Sequence, residues 1–480
     1  MKLRQETGLT FDDVLLAPKR SAIRSRGDVQ TSSLLVSDIR LSIPIISANM
    51  DTVTEAAMAI AMAQAGGIGI LHRFMSITRQ VEMVRRVKRA EGFVVEHPVT
   101  IRAEASLAEA RQTMVDSLIG GLVVVDQEGH LLGMLTARDI LLAVESDLQV
   151  KDLMTPRDNL VVAPVDEALD SARLKLHSHR IEKLPLVDAQ GRVMGLITAQ
   201  DIVKLQEHPQ ATKDAKGRLR VGVAVGVRPD DLNRAAACIE EGADVVVVDV
   251  AHGHAEHVLE MIRQLKRRFP GTAVIGGNVA TAQGVQDLAQ AGADAVKVGV
   301  GSGSICITRI VTGFGIPQLT AVSDCAQAGL ELGIPIISDG GTRNSGDMVK
   351  ALAAGASTVM IGSLLAGTDE SPGASVIREG RRYKVVRGMA SLSANVSRKE
   401  IDQGELDLSE FERVVPEGVE ALVPHRGAAT ETLHQLVGGL RSALSYAGAA
   451  SIEELWEKAE FVRITSAGEK ESAAHDIKLL

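Results

Sequence analysis

The sequence predicts an α/β fold: a closed (β/α)8 barrel interrupted by an inserted pair of repeats. Eight short apolar segments, each ending in Gly, Ser, Asn or Asp, alternate with stretches rich in Ala, Glu and Lys. Continuous apolar runs of this length read as parallel strands buried on both faces, and eight of them alternating with helices close into a barrel. Between the second and third segments the alternation stops, and residues 94–206 repeat themselves. An open doubly wound sheet is the alternative. It would carry a GxGxxG turn after its first strand, and none is present.

In chain order the strands are expected within 41–51, 66–73, 218–227, 243–253, 272–281, 293–304, 334–343 and 357–367. The chain therefore divides into residues 1–93 as the N-terminal part of the barrel, 94–206 as the insertion, and 207–480 as the remainder. That last part holds a flap at about 390–418 and a C-terminal segment. With 480 residues, two or three domains are expected. Aromatic residues are 2% of the chain, so the core is aliphatic.

The formal charge of −9 argues against broad binding of a phosphate backbone, which excludes a nucleic-acid role. No run of about 18 apolar residues reads as a membrane span, and the N-terminus lacks a signal-peptide core, so a cytoplasmic enzyme is expected. Cys238, Cys306 and Cys325 are scattered, which is neither a disulfide framework nor a zinc site. His252, His254 and His257 are not spaced as metal ligands.

In the insertion, LVVVDQEGHLLGMLTARDI (122–140) matches LPLVDAQGRVMGLITAQDI (184–202), so that Asp126 recurs as Asp188 and Asp139 as Asp201. Each copy reads as strand, Gly turn, strand, then a helix opened by Thr and Asp. The repeat resembles a CBS pair. That resemblance implies regulatory adenine- or guanine-nucleotide contacts at Thr136, Asp139, Thr198 and Asp201. The plain alternative is that Thr and Asp cap the helix, and the two roles are compatible.

The densest chemical cluster is GVGSGSICITR (299–309), after the sixth strand. Its glycines let the backbone turn and present N–H and C=O groups, and a cysteine at the C-terminal mouth of a barrel stands where barrel enzymes hold catalytic groups. Cys306 reacts as the thiolate, with activation by local dipoles, substrate or Arg309. Cys238 and Cys325 lie in Ala-rich helical stretches and read as buried small residues. Asp339-Gly340-Gly341 suits a ribose diol and a phosphate. Gly362-Ser363 stands at the usual barrel phosphate position, and with Ser304 these loops describe one phosphate cup.

TFDDVLLAP (10–18), SANMDTV (47–53), IGGNVAT (275–281), the cysteine loop, SDGG (338–341) and GSLLAGTDESPG (362–373) together resemble the IMP dehydrogenase/GMP reductase family over essentially the whole chain. The resemblance implies that Cys306 attacks C2 of the purine and that Thr308 takes part in proton transfer. It implies Ser47, Asn278, Ser304, Asp339, Gly341, Gly362, Ser363, Met389 and Glu417 on the substrate side. On the cofactor side, for NAD(H) or NADP(H), it implies Asp249 at the nicotinamide ribose with Ala251 and His252 beside it. The carbonyls of Gly301, Gly303 and Cys306 resemble a monovalent-cation loop for K+. The family also implies a homo-oligomer, tetramer or octamer, with residues 459–477 serving the next subunit's cation.

Which reaction is run turns on the flap. Dehydrogenases of the family activate water with an Arg-Tyr pair there; by spacing that pair falls on Asp402-Gln403, and residues 391–418 contain no tyrosine. DVAHGHAEH (249–257) and APKRSAIRSR (17–26) are similar to the reductases. Against this, Leu392 stands where many reductases carry a glutamate, VPEG and the CBS pair are commoner in dehydrogenases, and Arg398 and Glu417 remain as groups for water. Val385, Val386 and Arg387 replace a phosphate-binding tyrosine, and Ser302 and Ile307 replace the usual Pro and Thr. The balance favours GMP reduction over IMP oxidation. A barrel that binds purine nucleotides without turnover, as a sensor, is the more distant rival. NAD against NADP and the effector's identity stay open.

Overall fold

The computed structural model describes residues 3–96, 98–117, 119–141, 148–165, 167–403 and 415–472. They form two compact units. One comprises Met1–Lys88, Gln210–Thr212 and Leu219–Leu480, and the other Arg89–Pro209 and Lys213–Arg218.

The first unit is a closed eight-stranded barrel. Its strands are β1 (Ile45–Ser47), β2 (Ile68–Leu71), β3 (Gly222–Val225), β4 (Val245–Asp249), β5 (Ala273–Val279), β6 (Ala295–Val298), β7 (Ile336–Asp339) and β8 (Thr358–Ile361). They neighbour one another in sequence order, all parallel, and β8 closes on β1. Each lies inside one of the eight apolar segments of the sequence. β4 shows why: Val245, Val246, Val247 and Val248 are all fully buried, pointing alternately into the barrel and out against the helices. The interior is filled by Ile46, Ile70, Val247, Ile275, Ile337 and Met360, joined by Leu35 and Ile39 from an N-terminal hairpin. The barrel is thus a packed core, aliphatic as the composition requires.

The helices that position the site are α1 (Ala56–Gln64), α2 (Ile77–Ala90), α3 (Pro229–Glu240), α4 (Glu256–Arg268), α5 (Ala282–Gln290), α6 (Gln318–Leu332) and α7 (Ser345–Ala353). On α4 the buried residues Val258, Leu259, Met261, Ile262 and Leu265 fall on one stripe at helical spacing. The Thr281 hydroxyl accepts the Gly284 amide and the Asn344 carbonyl oxygen accepts the Asp347 amide, so α5 and α7 start where their caps dictate. Beyond β8 the chain forms an antiparallel sheet, β9 (Ser375–Arg378), β10 (Arg381–Arg387) and β11 (Glu420–Pro424). The flap leaves from β10 through α8 (Leu392–Gln403), and α9 (Ala429–Ala447) packs against α7.

The second unit contains both repeats. In each, two antiparallel strands joined through a left-handed glycine (Gly129, φ 87°; Gly191, φ 84°) lead into a helix, Ala137–Leu141 or Ala199–Glu207. Each repeat has its own apolar cluster, one around Leu122, Val124 and Leu135, the other around Leu184, Leu186 and Ile197. Val123, Val125 and Met134 of the first join Leu196 of the second in a shared cluster. The sequence boundaries of 94 and 206 fall just inside this unit. Among the described residues, no helix is long and apolar enough to cross a membrane.

Candidate active site

The cysteine loop begins where β6 ends. Gly299 has φ 149°, and a β-carbon there would collide with the Asp339 carbonyl, so only glycine lets this loop pass the end of β7. The Cys306 amide donates to the Gly303 carbonyl at 3.1 Å. The returning arm of the flap is stitched alongside: the Ile307 amide donates to the Glu417 carbonyl at 2.8 Å and the Val419 amide to the Ile305 carbonyl at 3.0 Å. These backbone bonds bring Glu417 to the thiol. Cys306 Sγ lies 3.1 Å from Thr308 Oγ1, whose hydroxyl donates to Glu417 Oε2 at 2.7 Å. Thiol, hydroxyl and carboxylate thus form one chain along which a proton can pass. Arg309, a sequence candidate for activating the thiol, donates instead to the Ile316 carbonyl at 2.7 Å. Cys238 and Cys325 are buried in α3 and α6, and burial pushes both thiols up to about 12, which leaves them unreactive.

A second cluster faces the thiol from four strand ends. Lys297, on β6 and 3% exposed, donates to Asp249 Oδ1 at 2.8 Å and Asp339 Oδ2 at 2.7 Å. Its third contact is the Asn278 side-chain carbonyl. Asn278 Nδ2 in turn donates to Asp339 Oδ2 at 2.9 Å and to the Gly299 carbonyl at 2.8 Å. Burial alone would disfavour the Asp249 carboxylate. The Lys297 ammonium, helped by Arg73 and the Asn49 side chain, outweighs that and holds the group below the usual carboxylate range. The two carboxylates likewise hold Lys297 above the ordinary lysine value against its burial. Gln318 Nε2 donates to the Val298 and Asp339 carbonyls at 3.0 and 3.1 Å, which fixes the ends of β6 and β7 together.

Both clusters line one cavity of about 420 Å³. Of the sequence candidates, Cys306, Thr308, Glu417, Asn278, Asp339, Met389, Asp249, Ala251, Gly301 and Gly303 meet on its wall. Ser47 does not: it is fully buried and accepts the Thr54 hydroxyl at 2.9 Å. Ser304, Gly341, Gly362, Ser363 and His252 also lie off this wall, with Ser363 opening the short helix Ser363–Ala366. His254 pairs with Asp287 of α5 at 2.6 Å.

Two charged groups on this wall were not singled out from sequence. Lys297 is one; its signal was a lone lysine in an otherwise apolar strand, since a fully buried lysine needs partners. Arg73, just after β2, lies on the wall with its guanidinium over the Phe74 ring. Arg387, at the end of β10, donates to Asp51 Oδ2 from Nε at 2.8 Å and reaches the Ser393 and Ser397 hydroxyls of α8.

In the repeats, the Thr136 hydroxyl donates to Asp139 Oδ2 at 2.7 Å and the Thr198 hydroxyl to Asp201 Oδ2 at 2.6 Å, each pair at the start of its helix. The side chains of Asp402 and Gln403, residues 404–414 of the flap and residues 473–477 of the C-terminal segment lie outside the described residues.

A thiol, hydroxyl and carboxylate in one hydrogen-bonded chain thus share the C-terminal mouth of a closed barrel with two further carboxylates, the make-up of an enzyme site. Comparison with known proteins narrows this. A profile of the IMP dehydrogenase / GMP reductase domain matches residues 8–475. The chain is 52% identical over 474 residues to an inosine-5'-monophosphate dehydrogenase of Nitrosopumilus maritimus, covering 98% of this chain and 99% of that protein. It is 48% identical over 483 residues to a GMP reductase of Leishmania donovani, covering 98% of each. A solved structure of a variant Trypanosoma brucei GMP reductase in complex with guanosine 5'-monophosphate superposes with a TM-score of 0.88 at 45% identity, covering 98% of each chain. The protein belongs to the IMP dehydrogenase/GMP reductase family of NAD(P)-dependent oxidoreductases.

Proposed function

We propose that the protein reduces GMP to IMP, releasing ammonia, with a reduced nicotinamide dinucleotide as hydride donor. The observation that carries this reading is the Cys306–Thr308–Glu417 chain, in a protein whose flap has no tyrosine between 391 and 418. The Cys306 thiolate adds to C2 of the purine. The exocyclic amine at C2 must then leave as ammonia, which requires a proton. Thr308 delivers it: the proton that the Cys306 thiol gave up through the Thr308 hydroxyl to the Glu417 carboxylate returns along the same chain to the leaving amine. A reduced nicotinamide held at Asp249 would supply the hydride to C2, and breaking the C–S bond returns the Cys306 thiolate and completes IMP. NADPH is the donor we favour, with NADH as the alternative.

Binding follows the same reading. Asp339 takes the ribose diol of the substrate, and Met389 and Asn278 lie beside it on the wall. Asp249 suits the nicotinamide ribose: Lys297 keeps it ionised, and the neighbouring Ala251 is exposed on the cavity rim. The carbonyls of Gly301, Gly303 and Cys306 would share a monovalent cation. Thr136, Asp139, Thr198 and Asp201 would hold a purine-nucleotide effector, and the chain would work as a homo-oligomer.

IMP oxidation to XMP is the second reading, favoured by one observation. Arg398 of α8 lies on the cavity wall together with Glu417, so a base for water is at hand without a tyrosine. A paired assay separates the two, following the near-ultraviolet absorbance of reduced nicotinamide with potassium present. Absorbance falling with GMP and NADPH, and static with IMP and NAD, is the expected result. A rise with IMP alone would sink the reductase reading and assign the relay to water. No change in either, with nucleotide still bound, would make the protein a sensor.

A further inference from the structure

We infer that Lys297 is the positioning residue of this site, holding with one ammonium the carboxylates that serve the purine nucleotide and the dinucleotide, so that its loss weakens both. The inference rests on the proposed roles of Asp339 and Asp249. The geometry is specific. An ammonium has three N–H donors, and those of Lys297 are matched by Asp249 at 2.8 Å, Asp339 at 2.7 Å and the Asn278 side-chain carbonyl. At 3% exposure it keeps no donor for a ligand, so it acts through the carboxylates and does not touch substrate itself.

Asp249 ends β4 and Asp339 ends β7, with β5 and β6 between them. The lysine on β6 and the asparagine on β5 are what bring the two acids to a common centre. Arg73, after β2, is the other cation facing Asp249; the remaining neighbours, Asn49 after β1 and Asn278 on β5, are neutral. Without Lys297 two partly buried carboxylates would share one end of the cavity with no ammonium between them. Such a pair does not ionise fully near neutrality: one member keeps a proton, and its partner's hydrogen bonds rearrange. Each ligand would then meet a carboxyl that is either protonated or misdirected.

The test compares Lys297→Met with Asp249→Asn and Asp339→Asn by steady-state kinetics in the direction the paired assay selects. D249N should raise KM for the dinucleotide alone, and D339N KM for the nucleotide alone. K297M should raise both, by about ten-fold each, the equivalent of one unit of pKa. It should also steepen the acid limb of kcat/KM relative to the unaltered protein, a change that looser packing would not produce. Both KM values within two-fold of the parent, with an unchanged acid side, would overturn the inference while leaving the site assignment standing. Unchanged KM values in D249N and D339N would remove the assignment itself, and the inference with it. Should K297M fail to fold, the double variant K297M/D249N decides. A refolded barrel with the nucleotide KM near that of D249N supports the charge argument. A barrel that stays unfolded overturns it, because the lysine stem and not its charge is then what the strand needs.

Discussion

Glu417 reaches the thiol only through Thr308, and that indirectness makes its role testable by a small change. Glu417→Gln keeps a hydrogen-bond acceptor 2.7 Å from the Thr308 hydroxyl but cannot take or give a proton. We expect kcat to fall by about a hundred-fold or more while KM for the nucleotide stays within a few-fold, the pattern of a lost general acid or base. Stopped-flow and steady-state rates across pH check it; an unchanged kcat would free Thr308 to work without the carboxylate. Cys306 and Asp339 were visible as candidates in the sequence because each sits in a motif whose chemistry is local, and Thr308 through the family resemblance. Lys297 was not, since its partners come from strands 48 residues before it and 42 after it, a pairing that only barrel closure creates. Ser47 stands apart from these. It ends a strand as a binding residue would, yet its hydroxyl satisfies Thr54 inside the core.

The elements were read with more success than their fastenings. Eight strands emerged because a parallel barrel demands apolar runs on both faces, whereas the flap was placed by the family resemblance and its spacing from Gly388-Met389. What ties the flap down lay beyond reach, because Arg387 and Asp51 are 336 positions apart. That pair holds the start of α8 over the site. Asp51 is 7% exposed on its side chain and receives Nε of Arg387 at 2.8 Å, while the guanidinium extends to Ser393 and Ser397, one helical turn apart. Removing one partner of a buried ion pair strands the other, at about 3 kcal/mol or more. Arg387→Ala should therefore lower the melting temperature of the barrel measurably. Adding Asp51→Asn should recover much of the loss, because the stranded charge is gone. Thermal melts of the single and double variants check this, and equal melting temperatures for the parent and R387A would show that the serines and backbone suffice to hold α8.

At the scale of the whole molecule, the insertion interrupts the sequence of the barrel without interrupting its hydrogen-bond ladder. β2 and β3 flank the inserted segment, yet they pair directly, Ile70 with Gly222 and Leu71 with Val223. The second unit carries apolar clusters within its own repeats. On the proposed reading the insertion regulates the barrel's chemistry without taking part in it. Replacing Arg89–Pro209 by a short Gly/Ser linker should leave a folded barrel whose basal kcat lies within a few-fold of the parent. The parent's rate should respond to adenine or guanine nucleotides that bind at Thr136, Asp139, Thr198 and Asp201, and the shortened protein's should not. Initial rates titrated with ATP and with GTP, in parent and shortened protein, read the difference. A shortened protein that still responds would move the effector site onto the barrel. One that folds but loses its basal rate would show that the insertion holds the catalytic loops in place, and that its repeats act as structure before they act as a sensor.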